Sequence, residues 1–136
     1  MRAVIALTLL VIWGHSLMNS ETSAAESGSV GLFLSGLFPW LVYSDRFIRK
    51  GAHMLEYALL SSEVTLLKNE TAFPRRLFGS LSFCGLAALI DETVQFIPPG
   101  RSPGVADLWF DLGGALIGAL LTAAFVHAFT ARKSRR

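Results

Sequence analysis

The sequence has little cysteine and little charge, and these shortages exclude several classes of protein. Cys84 is the only cysteine, so neither a disulfide framework nor a CxxC metal or redox site can form within one chain, and a packing role is expected for it. Charged residues make up 16% of the chain, the formal net charge is +2, and lysine and arginine lie in short segments rather than one basic stripe. Nucleic acid is therefore not an expected partner.

The sequence is instead rich in apolar residues, which make up 52% of its 136 residues. Four apolar stretches approach the roughly 20 residues that a helix needs to cross about 30 Å of hydrocarbon. They cover residues 3–18, 47–67, 77–97 and 105–129. We therefore predict an all-α fold, a polytopic membrane protein whose single domain, residues 1–136, is a bundle of four transmembrane helices.

The connection between the first two spans is predicted to lie at the membrane surface. It begins with a polar stretch, 19–29, and continues through 30–43, which is apolar but rich in glycine and interrupted by Pro39. This second part is too short and broken to cross a bilayer. Trp40 and Tyr43 near its end favour the headgroup level, which indicates an interfacial segment.

The first apolar stretch has a second interpretation, a cleaved signal peptide. Arg2 precedes a short apolar core, and small residues follow at 23–25. Trp13, His15 and Asn19 are unusual near the end of such a peptide and favour a retained span.

Basic residues in the short connections predict the orientation, because they mark the cytoplasmic side. They occur between the second and third spans, at 68–76, and in the tail, at 132–136. With an even number of spans, both termini are then cytoplasmic, and the basic residues at 46–50 are external.

Two acidic residues, Asp91 and Glu92, interrupt the third apolar stretch. An ionised carboxylate at the centre of a membrane helix costs about 2.5–3.5 kcal/mol on insertion scales, so partners are expected. In the predicted topology the external ends of all four spans converge on this pair. The polar residues expected there are His15, Ser16, Asn19, Arg49, Lys50, His53, Glu56, Tyr57, Gln95, Asp107 and Asp111.

The fourth span carries an acidic face, since Asp107 and Asp111 are four positions apart and side chains at that spacing are neighbours. Gly114 and Gly118 continue the face as a GxxxG pattern, which marks a helix contact surface. The acidic face is therefore expected to look into the bundle.

A stretch rich in proline and glycine, residues 98–104, joins the third and fourth spans and is predicted to turn tightly. It would hold Arg101 above the polar cluster. A guanidinium there pairs with a carboxylate or binds a phosphate through two parallel hydrogen bonds.

Three stretches resemble the signature motifs of VanZ-like membrane proteins: RKGAHMLEY at 49–57, DETVQFIPPGR at 91–101 and DLWFDLGGA at 107–115. Residues 20–28 are also similar to the serine-rich loop common in that family. The resemblance implies a small multi-pass protein of the bacterial cytoplasmic membrane, in a family named for a protein associated with low-level resistance to the glycopeptide teicoplanin. The matching positions become site candidates: Arg49, His53, Glu56, Tyr57, Glu92, Gln95, Arg101, Asp107 and Asp111.

The first of three functional hypotheses is a binding protein of the cell envelope. Its external pocket would bind an anionic lipid or a lipid-linked cell-wall precursor by the headgroup and so alter glycopeptide susceptibility. Arg49, Lys50 and Arg101 would contact phosphate. The ligand-binding candidates are Arg49, Tyr57, Asp91, Gln95, Arg101 and Asp111.

The second hypothesis is an intramembrane hydrolase or transferase acting on such a headgroup, and the third is a structural protein whose buried charges only brace the bundle. The catalytic candidates are His53, Glu56, Glu92 and Asp107. They are ligand types that suit one divalent ion. Alternatively, two adjacent carboxylates share one proton and act as acid and base. A divalent metal is thus compatible with the site but not required, and the oligomeric state is open.

Overall fold

The computed structural model describes residues 1–18, 20–38, 44–67, 73–100 and 104–133. These residues form five α-helices and no β-strand, which confirms the predicted all-α fold. The helices are α1 (Arg2–Leu17), α2 (Ser20–Leu37), α3 (Asp45–Leu67), α4 (Phe73–Val94) and α5 (Val105–Lys133). Four of the five prolines lie outside these helices. The fifth, Pro74, lies in the first turn of α4, where a missing backbone N–H breaks no helical hydrogen bond.

Side-chain contacts show that α1 runs antiparallel to α3. The Thr8 hydroxyl donates to the Glu63 carboxylate at 3.0 Å. Seven residues further along α1, His15 Nδ1 lies 2.6 Å from Glu56 Oε1, which is seven residues earlier in α3. The last turn of α1 therefore lies beside the first half of α3.

Helix α4 also runs antiparallel to α3. The Ser61 and Ser80 hydroxyls lie 3.1 Å apart, whereas Asp91, near the end of α4, lies beside His53, near the start of α3. Consequently α1 and α4 end at the same end of the bundle, where α3 begins.

Helix α5 runs parallel to α3 and touches it closely through the GxxxG pattern. A β-carbon on Gly114 would overlap the backbone of Met54, and one on Gly118 would overlap the backbone of Ala58. The Ser62 hydroxyl donates to the Gly118 carbonyl at 3.2 Å. The two glycines thus pack inside the bundle, as the pattern predicted.

Alanine and serine are the most frequent buried residues in the described part of the chain, and many large apolar side chains face outward. Cys84 is fully buried, consistent with its expected packing role. The core residues are Ile5, Ile12, Tyr57, Leu60, Val64, Cys84, Ala87, Ala88 and Ala115. Exposed apolar residues of α4 and α5 include Leu86, Leu89, Ile90, Leu121 and Phe125. Small residues at helix contacts are typical of bundles that pack in lipid.

The described residues support two or three membrane spans by length and composition, whereas the sequence predicted four. Phe73–Val94 and Val105–Phe129 are each long and apolar enough to cross a membrane. α1 and α2 are long and apolar enough for a membrane span only when they are taken together. The pair is bent by 111° at the break between the two helices, so it forms either a broken span or a re-entrant loop. α1 alone has 16 residues, about 24 Å of helix at 1.5 Å per residue. α3 does not qualify because it carries several charges.

The segment after α1 departs from the sequence prediction. Residues 20–28, which were compared with a serine-rich loop, are helical and form the first half of α2. The sequence has no proline between 20 and 37, and three serine hydroxyls of α2, those of Ser27, Ser29 and Ser35, donate to carbonyls of the same helix. The Ser27 hydroxyl, for example, donates to the Ser23 carbonyl at 2.8 Å. Pro39, Trp40 and Tyr43, on which the interfacial segment was predicted, lie outside the described residues.

Candidate functional site

The candidate site lies at the end of the bundle where α1 and α4 end and α3 and α5 begin. This arrangement follows from the helix directions, because α1 and α4 run opposite to α3 and α5. The structure brings polar side chains from all four helices together there. At the centre, His53 Nδ1 lies 3.8 Å from Asp91 Oδ2 and 3.8 Å from Asp111 Oδ1.

The two aspartates at this centre are buried in the bundle. Asp91 is 0% exposed and Asp111 is 1% exposed, whereas His53 is partly exposed. Asp91 is held in place by Gln95, one helical turn further on, whose Nε2 donates to Asp91 Oδ2 at 2.9 Å. The same amide reaches Ser16 Oγ at 3.4 Å and so links the pair to α1.

Several buried oxygens at the centre have no hydrogen-bond partner within the described part of the chain. They are Asp91 Oδ1, both carboxylate oxygens of Asp111 and the Tyr57 hydroxyl. A buried polar group left without a partner costs about 1–3 kcal/mol. A water, an ion or a ligand that contacted these oxygens would remove that cost.

Glu92 binds the turn between α4 and α5 rather than the central aspartates. Its Oε2 accepts a hydrogen bond from the Gly104 backbone N–H at 2.9 Å. Gly100 adopts a positive φ of 78°, and a β-carbon there would overlap the Ser20 side chain of α2, so this position requires glycine. Arg101, predicted to lie above the cluster, is outside the described residues.

Lys50 and Asp107 join the first turns of α3 and α5. Lys50 Nζ lies 2.6 Å from Asp107 Oδ1 and 4.6 Å from the centre of the Phe110 ring, a cation–π distance. The ammonium thus neutralises one carboxylate near the end of the bundle. It is not a partner of Asp91 or Asp111.

Glu56 pairs with His15 of α1, because Glu56 Oε1 lies 2.6 Å from His15 Nδ1. The four catalytic candidates, His53, Glu56, Glu92 and Asp107, are therefore not brought together as one set of metal ligands in the described structure. His53 instead lies with Asp91 and Asp111, which the sequence placed among the ligand-binding candidates.

A cavity of about 400 Å³ opens beside this centre. Its lining residues are Arg46, Arg49, Lys50, His53, Gln95, Gly100, Ala106, Asp107, Phe110 and Asp111. Arg46 was absent from the sequence-based candidates. The signal that identifies it is helical spacing, because 46, 49, 50 and 53 recur at intervals of three and four and so share one face of α3.

Two further predicted site residues, Tyr57 and Arg49, do not belong to the central group of His53, Asp91 and Asp111. Tyr57 is fully buried one turn beyond His53 on α3, and Arg49 lies on the cavity wall. Taken together, the cavity combines cationic side chains near the end of the bundle with a histidine and a buried carboxylate below them.

A protein-family model described as VanZ/LLP1 matches residues 3–126. No curated protein and no solved structure matches the chain.

Proposed function

The chain belongs to the VanZ/LLP1 family, as the resemblance of its three motifs predicted, and on that premise we propose that it binds an anionic headgroup in the cavity. The ligand would be a membrane lipid or a lipid-linked cell-wall precursor, bound at the external face of the bacterial cytoplasmic membrane. By holding such a ligand the protein would alter susceptibility to glycopeptides such as teicoplanin.

The observation that carries this proposal is the cationic wall of the cavity. Arg46 and Arg49 line it and form no ion pair with any side chain in the described ranges. Guanidinium groups bind phosphate oxygens through paired hydrogen bonds. A volume of about 400 Å³ also falls within the range of small-ligand sites. A phosphate with a short polar extension fits these dimensions and charges.

We propose that α3 also crosses the membrane, which gives four crossings when α1 and α2 count as one. The polar residues of α3 are matched by neighbouring helices, as Glu63 is by Thr8 and Glu56 by His15. Charged and polar residues of a membrane helix are tolerated where they face the bundle and are paired. Both termini would then be cytoplasmic and the cavity external.

The orientation predicts which exposed positions a membrane-impermeant maleimide reaches on intact cells. In a Cys84→Ser background, Phe96→Cys lies at the cavity end of the bundle and Phe73→Cys at the opposite end, and both side chains are exposed. We expect labelling of Phe96→Cys in intact cells and of Phe73→Cys only after permeabilisation. The reverse pattern would invert the proposed orientation, and labelling of both in intact cells would exclude a crossing between them.

Headgroup binding is tested with purified protein in detergent and a short-chain polyprenyl phosphate as the probe. The Arg46→Glu, Arg49→Glu double variant is expected to bind it at least tenfold more weakly, since hydrogen bonds to charged groups contribute about 1.5–3 kcal/mol each. The neutral polyprenol of equal chain length separates headgroup binding from binding of the tail. Arg75→Glu, exposed at the opposite end of the bundle, is a single charge reversal away from the cavity and serves as the control. Equal affinity of the double variant and wild type would contradict the proposal.

A second candidate function, an intramembrane hydrolase or transferase, is favoured by the position of His53 and Asp111. Both line the same cavity as the arginines, so a proton-transfer or metal-binding group would lie beside a bound phosphate. This function requires turnover of a lipid-linked phosphate that His53→Gln abolishes while binding is retained. Absence of turnover in wild type that binds the probe would leave the binding function alone.

A further inference from the structure

Three side chains from three helices meet in the bundle with the composition of a metal site: His53 from α3, Asp91 from α4 and Asp111 from α5. One ligand atom from each lies within 4.8 Å of the other two. Three atoms so spaced lie within about 2.8 Å of a common point, and nitrogen and oxygen ligands of Zn²⁺ lie about 2.0–2.2 Å from the ion. A small contraction by side-chain rotation would close the site. We infer that this cluster binds one divalent transition-metal ion.

The buried carboxylate oxygens are an independent indication of a ligand. Asp111 is 1% exposed, and neither of its oxygens accepts a hydrogen bond from any residue in the parts of the chain that the structure describes. His53 Nδ1 lies 3.8 Å from Asp111 Oδ1, which is longer than a hydrogen bond of about 2.7–3.2 Å. The same 3.8 Å separates it from Asp91 Oδ2. The three groups are therefore too far apart to satisfy one another and close enough to share an ion.

Charge balance favours a divalent cation over a bound neutral molecule. Two ionised carboxylates buried side by side repel each other and are strongly destabilised unless a cation compensates them or one of them takes up a proton. Lys50 is engaged by Asp107, and none of the ion pairs within the described residues joins a lysine or arginine to Asp91 or Asp111. A divalent ion with two aspartates and a neutral histidine gives a site with no net charge.

The surroundings supply the other features of a metal site. Gln95 donates to Asp91 Oδ2 and so fixes the orientation of that carboxylate, as outer partners of metal ligands commonly do. His53 and Asp111 line the cavity, which gives an ion a path from outside the bundle. With three protein ligands, coordination positions remain open toward the cavity.

The ligand types select the class of ion. Carboxylates alone suit Mg²⁺ and Ca²⁺, but an imidazole nitrogen favours transition metals. One histidine with two aspartates therefore suits Zn²⁺ or Mn²⁺. The binding of the ion does not rest on the proposed headgroup function. If both hold, an ion with open positions would face the cavity in which a phosphate binds, and would add to the attraction from the arginines.

The test uses purified full-length protein, stripped with a chelator, reloaded separately with ZnCl₂ and with MnCl₂, passed through a desalting column and assayed by elemental analysis. We expect wild type to retain about one ion per chain, since three protein ligands hold it. Asp91→Asn and Asp111→Asn should retain at least tenfold less. Glu63→Gln neutralises a buried carboxylate of α3 that is bound to Thr8 at the far end of the bundle, and should retain the wild-type amount.

His53→Gln provides a second test that does not depend on the buried aspartates, because His53 is partly exposed and its loss threatens folding less. Reloading with Co²⁺ adds a spectroscopic signature, since coordination by an imidazole changes its visible absorption, and the change should be missing in His53→Gln. Retention of no ion by folded wild type, or of equal amounts by wild type and all three site variants, would overturn the inference. When the polyprenyl phosphate assay is run on chelator-stripped protein, failure of metal binding and failure of headgroup binding are separate results.

Discussion

Gly118→Leu is expected to leave little of the protein folded. The backbone of α5 at this position lies directly against the backbone of α3 at Ala58, so that even a β-carbon would overlap it. The overlap is with main-chain atoms, which cannot rotate away as the end of a flexible side chain can. Two helices would have to separate to admit the leucine, and the Ser62 hydrogen bond to the Gly118 carbonyl would be lost with the contact.

The size of the effect follows from overpacking. Inserting methylene groups into a well-packed core typically costs about 1–3 kcal/mol and occasionally more, against a total stability of about 5–15 kcal/mol for a folded protein. Contact with backbone places Gly118→Leu at or above the upper end of that range. Gly114→Leu, which meets the backbone of Met54, should behave in the same way.

Gly113→Leu is the matched control, because apart from the neighbouring backbone of α5 no atom of the described residues lies within 4 Å of the β-carbon it would add. It introduces the same side chain into the same helix, so it reproduces any effect of leucine on helix propensity or membrane insertion. The measurement is the amount of monodisperse protein extracted in mild detergent and its thermal unfolding midpoint. Equal loss in Gly113→Leu and Gly118→Leu would show that the close α3–α5 contact is not what the glycines provide.

The four apolar stretches of the sequence coincide with α1, α3, α4 and α5. These helices could be predicted because the length of an apolar stretch can be read from that part of the sequence alone. α2 was not anticipated as a helix. Its first half is serine-rich and polar, and serine is neutral in a helix when its hydroxyl bonds back to the preceding turn, as at Ser27. The polar composition that indicated a connection is thus compatible with a helix.

The meeting of polar residues at one end of the bundle could be derived from sequence, because alternating helix directions determine which helix ends are neighbours. The individual partners could not. Glu56 was grouped with His53 as a catalytic candidate, yet it binds His15 on α1. Spacing along one helix defines a shared face but not how that face is rotated toward a second helix.

The grouping of His53 with Asp91 and Asp111 could not be predicted from spacing along a single helix either. Each of the three comes from a different helix, so their meeting depends on the axial offset between α3, α4 and α5. Part of that offset is set by the glycine contacts, which place Gly114 against Met54, the residue next to His53. The pattern predicted close packing, but the register it produces became visible only in three dimensions.

The proposed headgroup binding predicts a loss of teicoplanin protection as its largest functional effect. In a Gram-positive host that expresses the protein, the Arg46→Glu, Arg49→Glu double variant should return susceptibility to that of cells without it. Reversing two charges replaces the only arginines that line the described cavity with groups that repel phosphate. A tenfold loss of headgroup affinity corresponds to about 1.4 kcal/mol, and two lost charge-assisted contacts exceed that value.

The comparison requires equal amounts of protein in the membrane, measured by immunoblot, and Arg75→Glu as the exposed charge reversal at the other end of α4. Glu92→Gln separates binding from catalysis, because Glu92 is bound to the Gly104 backbone and an amide oxygen preserves that acceptor while removing the charge. Protection by Glu92→Gln at wild-type level excludes an acid or base role for this carboxylate. Loss in Glu92→Gln with headgroup affinity retained would favour the enzyme. Protection that survives the arginine double variant would place the function outside the cavity, because the variant removes both arginines that line it.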